Sequence, residues 1–192
     1  MRVKATVLFA AFFTGVTIVS CDNPTSPATF ENQDERITVY ALNGTAANAP
    51  SAMSIRLPQA VVVSSNFAFD VAFDLNASNE VVIYSPRKLA NQLAGVQRVG
   101  FQFTPTPFAQ VTEAPSKNYV YDTAFVVPAS QTVLVDVIDP ACLGLIGGGS
   151  VRAKFTVDSV SLAKRAMYVH VLSDPNCGFK DLITAAPAVP KG

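Results

Sequence analysis

Hydrolysis needs a base, and His170 is the only histidine in the chain of 192 residues. It lies in an apolar run, Ala166 to Leu172, that reads as a strand. A site built on it would need a carboxylate to orient the ring and a hydroxyl to attack. A local echo suggests Asp136 as that carboxylate, because Val135-Asp136-Val137-Ile138-Asp139-Pro140-Ala141-Cys142 resembles Val169-His170-Val171-Leu172-Ser173-Asp174-Pro175-Asn176-Cys177. Aligning the two on Asp-Pro or on Cys differs by one residue, and a one-residue slip puts the pair on opposite faces. No GxSxG elbow supplies a nucleophile. His170 therefore reads as structural or solvated, and no residue is assigned a catalytic role.

Other chemistry fares no better. Asp70 and Asp74 fall on one face of a strand, but four residues at ~3.3 Å each separate them by about 13 Å, too far for a glycosidase pair. They read as a solvated face. Asp74, Asn76, Ser78 and Glu80 follow the alternating oxygen ligands of a calcium loop, yet Asn79 replaces the turn glycine and Ser85 the closing Glu, which makes a hairpin the better reading. Gly144 and Gly147 to Gly149 lack the Lys-Ser/Thr of a phosphate loop. Tyr119 and Tyr121 share a strand face and read as packing. No metal set and no cofactor are expected.

The cysteines are more informative. Cys142 and Cys177 end the two echoed strands, and an even pair in an exported chain favours a disulfide. If Val151 to Val160 lies between those strands as an antiparallel partner, they run parallel about 10 Å apart and their loops can meet. The third cysteine, Cys21, closes a different pattern. Arg2 and Lys4 precede the uncharged stretch ATVLFAAFFTGVTIVS from Ala5 to Ser20, a basic region followed by an apolar one, as in a secretory signal. Roughly 16 residues at 1.5 Å reach about 24 Å as a helix, short of the ~30 Å hydrocarbon core.

Ile18-Val19-Ser20-Cys21 resembles the lipobox of bacterial lipoproteins: an aliphatic residue, a tolerant position, a small residue, then Cys. The resemblance covers the first 21 residues. It implies that residues 1–20 are removed, that Cys21 carries lipid, and that the chain is held on a membrane of the bacterial cell envelope. Two or three acyl chains, at roughly 0.8 kcal/mol per buried CH₂, anchor a domain essentially permanently. Asp22 resembles the inner-membrane retention signal of some enteric bacteria, a rule that varies between lineages, so the destination membrane stays open.

Residues 21–34, rich in Pro and small polar side chains, read as a tether of about 40 Å when extended. From 35 to 192 the apolar runs alternate with turn chemistry and predict an all-β domain of at least eight strands, an antiparallel two-sheet β-sandwich, immunoglobulin-like in general architecture. The expected strands include Glu35 to Leu42, Phe67 to Leu75, Tyr119 to Val127 and Thr132 to Ile138. One short helix is predicted from Pro86 to Ala94, with Ser85 as N-cap and Gly95 closing it. Fourteen basic and fourteen acidic side chains give no field for a polyanion, so nucleic acid is not an expected partner. The resulting expectation is a lipid-anchored, non-catalytic binding, adhesion or structural module, whose partners are the membrane and an unidentified envelope protein or ligand. The alternative is an envelope hydrolase assembled around His170.

Overall fold

Alternation of side chains across three long strands organises the molecule. In the computed structural model, which describes residues 28–142 and 149–184, Thr132–Ile138 (β9), Ser150–Ser161 (β10) and Ala166–Asp174 (β11) form an antiparallel meander. Val133, Val135 and Val137, then Ala153 and Phe155, then Val169 and Val171 point to one side and are buried there. Gln33–Tyr40 (β1) pairs with β11, while Arg98–Thr104 (β6) pairs with β9 and with the short Val120–Tyr121 (β7). The six-stranded sheet runs β1-β11-β10-β9-β6-β7.

Opposite it lies a sheet of five shorter strands: Ala52–Ser54 (β2), Gln59–Val61 (β3), Val71–Leu75 (β4), Val81–Tyr84 (β5) and Ala124–Val126 (β8), in the order β3-β2-β4-β5-β8. All pairings between named strands are antiparallel. Met53, Ile55, Val71, Phe73 and Ile83 meet the apolar side of the larger sheet to form the main core, and Phe73 stacks edge-on against Phe155 at 5.8 Å. This is the two-sheet sandwich that the patterning predicts. Among the described residues no helix is long and apolar enough to cross a membrane.

Three local expectations change. The stretch Tyr119 to Val127 is two strands, because Asp122 adopts a positive φ of 57° and the chain passes there from the larger sheet to the smaller. The helix is one turn, Pro86–Leu89. Ser85 caps it by accepting from the Lys88 N–H, but Asn91 and Gln92 at φ 50° and 64° stop it before Leu93. Regular strand covers only the second half of Phe67 to Leu75, since Phe67 sits at φ 52°.

Asp70 and Asp74 are buried, so the solvated face predicted for them is not there. Residues Leu42, Val61, Val63, Phe67 and Leu89 pack over Ala52, Phe69 and Ala72 and cover the outside of the smaller sheet. Beneath that cover Asp70 accepts from the Ile55 N–H at 2.6 Å, and Asp74 accepts from the backbone and side-chain amides of Asn43. Burial pushes the Asp70 carboxyl up to about 6. The predicted hairpin at Asn76 does form: its Oδ1 accepts from the Ser78 and Glu80 N–H groups, and Asn79 takes φ 61°.

Candidate functional site

The outer face of the six-stranded sheet gathers most of the polar chemistry. Strand parity puts Asp136, Arg152, Asp174, Lys154, His170 and Asp34 on this side, away from the main core. A cover crosses part of it. The Pro-rich connection between β6 and β7 pairs with the segment 180–184 through Ala114 N–H to Lys180 O and Leu182 N–H to Thr112 O, both 2.8 Å. Asn32 pins the same segment by donating to the carbonyls of Asp181 and Ile183. Under the cover, Val111, Ala114, Leu134, Leu172 and Leu182 make a second small core.

His170 lies at the margin of this cover. Its Nε2 is 2.6 Å from Asp34 Oδ1, its ring stacks on Phe108 with centroids 4.1 Å apart, and its Nδ1 is 3.5 Å from the Arg36 guanidinium. Beside it Lys154, 3% exposed, donates from Nζ to the Phe108 and Val111 carbonyls at 2.8 and 2.6 Å and lies over the Phe108 ring. Burial lowers the Lys154 pKa, with the Asp34 charge opposing that shift. Asp34, Phe108, Lys154 and His170, with Thr184 and Leu172, line a cavity of about 250 Å³.

The Asp136 partner proposed for His170 is not brought to it. Across β10, His170 aligns with Thr156, whereas Asp136 aligns with Arg152 and, beyond it, Asp174. The echo does place both strands in one sheet on either side of β10, but four residues, about 13 Å, separate the levels of the two side chains. Asp136 instead forms an ion pair with Arg152 at 3.0 Å and accepts from the Tyr121 hydroxyl at 2.6 Å and the Ser150 hydroxyl at 3.1 Å. Burial and this bond to Asp136 push the Tyr121 hydroxyl far above its ordinary value. Tyr119 and Tyr121 thus pack against the sheet, and Gly100 makes room for them: a Cβ there would lie 2.8 Å from the Tyr121 ring.

Cys142 and Cys177 do meet, with sulfurs 2.06 Å apart and Cα atoms 5.4 Å apart. The bridge joins the loops beyond β9 and β11, as the parallel outer strands allow. Alongside it Asn176 accepts from the Thr29 and Phe30 N–H groups and returns a bond to the Phe30 carbonyl. The domain therefore takes hold of the chain a few residues before the composition change at residue 35. Asp174, which bonds Asn176, is fully buried, and burial pushes its carboxyl up to about 6.

Asp34, Lys154, Phe108 and Arg56 were not singled out by sequence. Lys154 carries a weak signal, a charge in an otherwise half-apolar strand, but its burial depends on a loop more than forty residues away. The lipobox-like residues Ile18 to Cys21 and the glycines 144, 147 and 148 lie outside the described residues. No group of three or more His, Cys, Asp or Glu side chains that could hold a metal ion occurs among the described residues. Comparison with protein-family models, with curated proteins and with solved structures finds no match. Function rests on the geometry of the chain itself.

Proposed function

We propose that the chain is a bacterial lipoprotein, anchored in the cell envelope through lipid on Cys21, whose β-sandwich is a non-catalytic binding, adhesion or structural module. The observation that carries this reading is the point at which the chain joins the domain. Thr29 and Phe30 are fastened to Asn176 beside the Cys142–Cys177 bridge, so an anchor at Cys21 leads to one end of the sandwich. The opposite end is left outward, with Val126 and Val160 exposed beside a cleft of about 430 Å³ between the sheets. A bridged cysteine pair also suits an oxidising compartment.

The non-catalytic reading is supported by the way His170 is held. A triad histidine gives one nitrogen to its carboxylate and the other to a nucleophile. Here the second nitrogen faces the Arg36 guanidinium at 3.5 Å and not a hydroxyl. The His170–Asp34 pair at a cavity is what favours the second reading, an envelope hydrolase.

Intact mass of the chain from the membrane fraction tests the anchor: a diacylglyceryl or triacyl adduct on Cys21 is expected, and Cys21→Ser should retain the signal and abolish the adduct. An unmodified, water-soluble mature chain overturns the proposal. Activity profiling of the domain against ester, peptide and glycoside libraries tests the other half, and turnover abolished by His170→Ala would establish the hydrolase.

A further inference from the structure

We propose that the Cys142–Cys177 bridge is a thiol-exchange site, in which a dithiol reductant attacks Cys177 and Arg56 stabilises the negative charge on the sulfurs. The inference does not depend on the lipid anchor.

The Arg56 guanidinium lies against the bridge, with Nη2 3.3 Å from Cys177 Sγ and 3.7 Å from Cys142 Sγ. Asp139 holds it there, its Oδ2 2.7 Å from Nη1, while its Oδ1 accepts from the Ala141 N–H in the turn leading to Cys142. Arg56 is thus oriented by the loop that carries one of the cysteines. Its side chain is 38% exposed, so the charge is reachable from solvent. The two cysteines differ: Cys142 is fully buried and Cys177 only partly.

Exchange proceeds by attack of a thiolate on one sulfur and departure of the other as a thiolate, with negative charge shared along the three sulfurs between. A cation touching both protein sulfurs favours that distribution and lowers the basicity of the leaving group. Cys177, the less buried of the two, is the one an external thiolate attacks in this scheme. One thiolate of the reductant bonds to Cys177 Sγ, the Sγ–Sγ bond breaks, and its electron pair leaves on Cys142 Sγ beside Arg56. The reductant's second thiol then loses its proton and displaces Cys177 Sγ. The reductant departs as a disulfide, and its two electrons and two protons end on the two cysteines. Asp139 is a positioning residue in this scheme, since it touches Arg56 and not the sulfur atoms.

The test uses the full oxidised chain under native conditions with dithiothreitol as the probe, the products being trapped by acid and alkylation. Reduction is expected to be first order in dithiothreitol and faster than global unfolding. A monothiol probe, quenched early, should leave its adduct on Cys177 in peptide mapping. Arg56→Gln, checked for an unchanged unfolding midpoint in the oxidised form, is expected to slow reduction by about tenfold, with Arg56→Lys recovering part of the rate. A rate independent of dithiothreitol and equal to the unfolding rate overturns the proposal, as does an adduct on Cys142, or a rate in Arg56→Gln within twofold of the parent. The first two readouts need no variant, so the proposal stands or falls even if Arg56→Gln does not fold.

Discussion

Two acid–base pairs lie on the same face of the same sheet, and they are built to opposite ends. Asp136 and Arg152 sit on neighbouring strands with side chains 4% and 12% exposed, and further bonds hold them: Tyr121 and Ser150 to the carboxylate, the Gly178 and Phe179 carbonyls to the guanidinium. Asp34 and His170 also sit on neighbouring strands, at 2.6 Å, but at the margin of the cover, beside a cavity, with Arg36 lying out in solvent. Asp136 lies directly opposite Arg152, whereas Asp34 lies opposite Leu172 and reaches His170 on the diagonal. The material laid over each pair differs too. Tyr121, Ser150 and the Gly178 and Phe179 carbonyls enclose Asp136 and Arg152, whereas Asp34, its side chain 29% exposed, and His170, 15% exposed, border a cavity.

The widest gap between the two pairs should appear on truncation. Asp136→Ala leaves a buried guanidinium uncompensated and is expected to cost about 3–5 kcal/mol, read as a fall in the urea midpoint at unchanged slope. Adding Arg152→Met should recover much of the loss, because a buried ion pair can be replaced by apolar packing more cheaply than it can be halved. A loss under ~1 kcal/mol for Asp136→Ala would mean that the bridge end is as open as the His170 end.

Removing the bridge itself, with Cys142→Ser and Cys177→Ser together, is expected to cost about 3–4 kcal/mol for a closed segment of 35 residues. The loss should be accompanied by faster hydrogen exchange at Asn176 and Ser150, with little change around His170. Equal exchange at both regions would show that the bridge restrains the whole face rather than its own end.

The bridge end also carries the pH dependence. Asp174 and Asp70 have carboxyls pushed by burial from an ordinary 3.8 up to about 6. The folded form therefore holds protons that the unfolded form has released, and stability is fully present below about 4 and falls as pH rises to about 6. Asp174→Asn and Asp70→Asn should each flatten that window in a series of unfolding midpoints. A slope untouched by either variant would remove these carboxyls as its cause.

The smallest effect is expected at the open pair. His170→Ala should cost about 1 kcal/mol or less, because Asp34 and His170 remain in contact with solvent. A cost above ~3 kcal/mol would place His170 with the scaffold.

The parts of this face that follow from local pattern were legible in the residues. β9 matches Thr132 to Ile138, and the Asp-Pro-x-Cys echo carries the parallel relation of β9 and β11 and with it the meeting of Cys142 and Cys177. The misreadings share a cause, which is burial imposed from a distance. Asp70 and Asp74 alternate like solvated residues, yet Phe67, Leu89 and the Asn43 turn arrive to cover them. Tyr119 to Val127 is continuous in hydrophobicity, but the chain must change sheets, and Asp122 takes up that turn. Asp34 looks like the last residue of a polar tether until β11 pairs with it and sets His170 alongside. Nothing in the spacing of Arg56 marks it as a neighbour of two sulfurs that follow it by 86 and 121 residues.

The pairing of β1 with β11 has a kinetic consequence. Gln33 lies opposite Ser173 and Tyr40 opposite Ala166, so the second strand of that pair emerges after the other ten described strands in any synthesis or translocation that begins at the N-terminus. The larger sheet cannot be completed until β11 has emerged, and a fold so rich in distant pairings belongs with those that take milliseconds to seconds. During that wait β1 presents a bare edge, the kind of surface that recruits strands from other molecules. Asp34, Glu35 and Arg36 stand in a row along it, three consecutive charges that make an apolar stranger a poor substitute for β11.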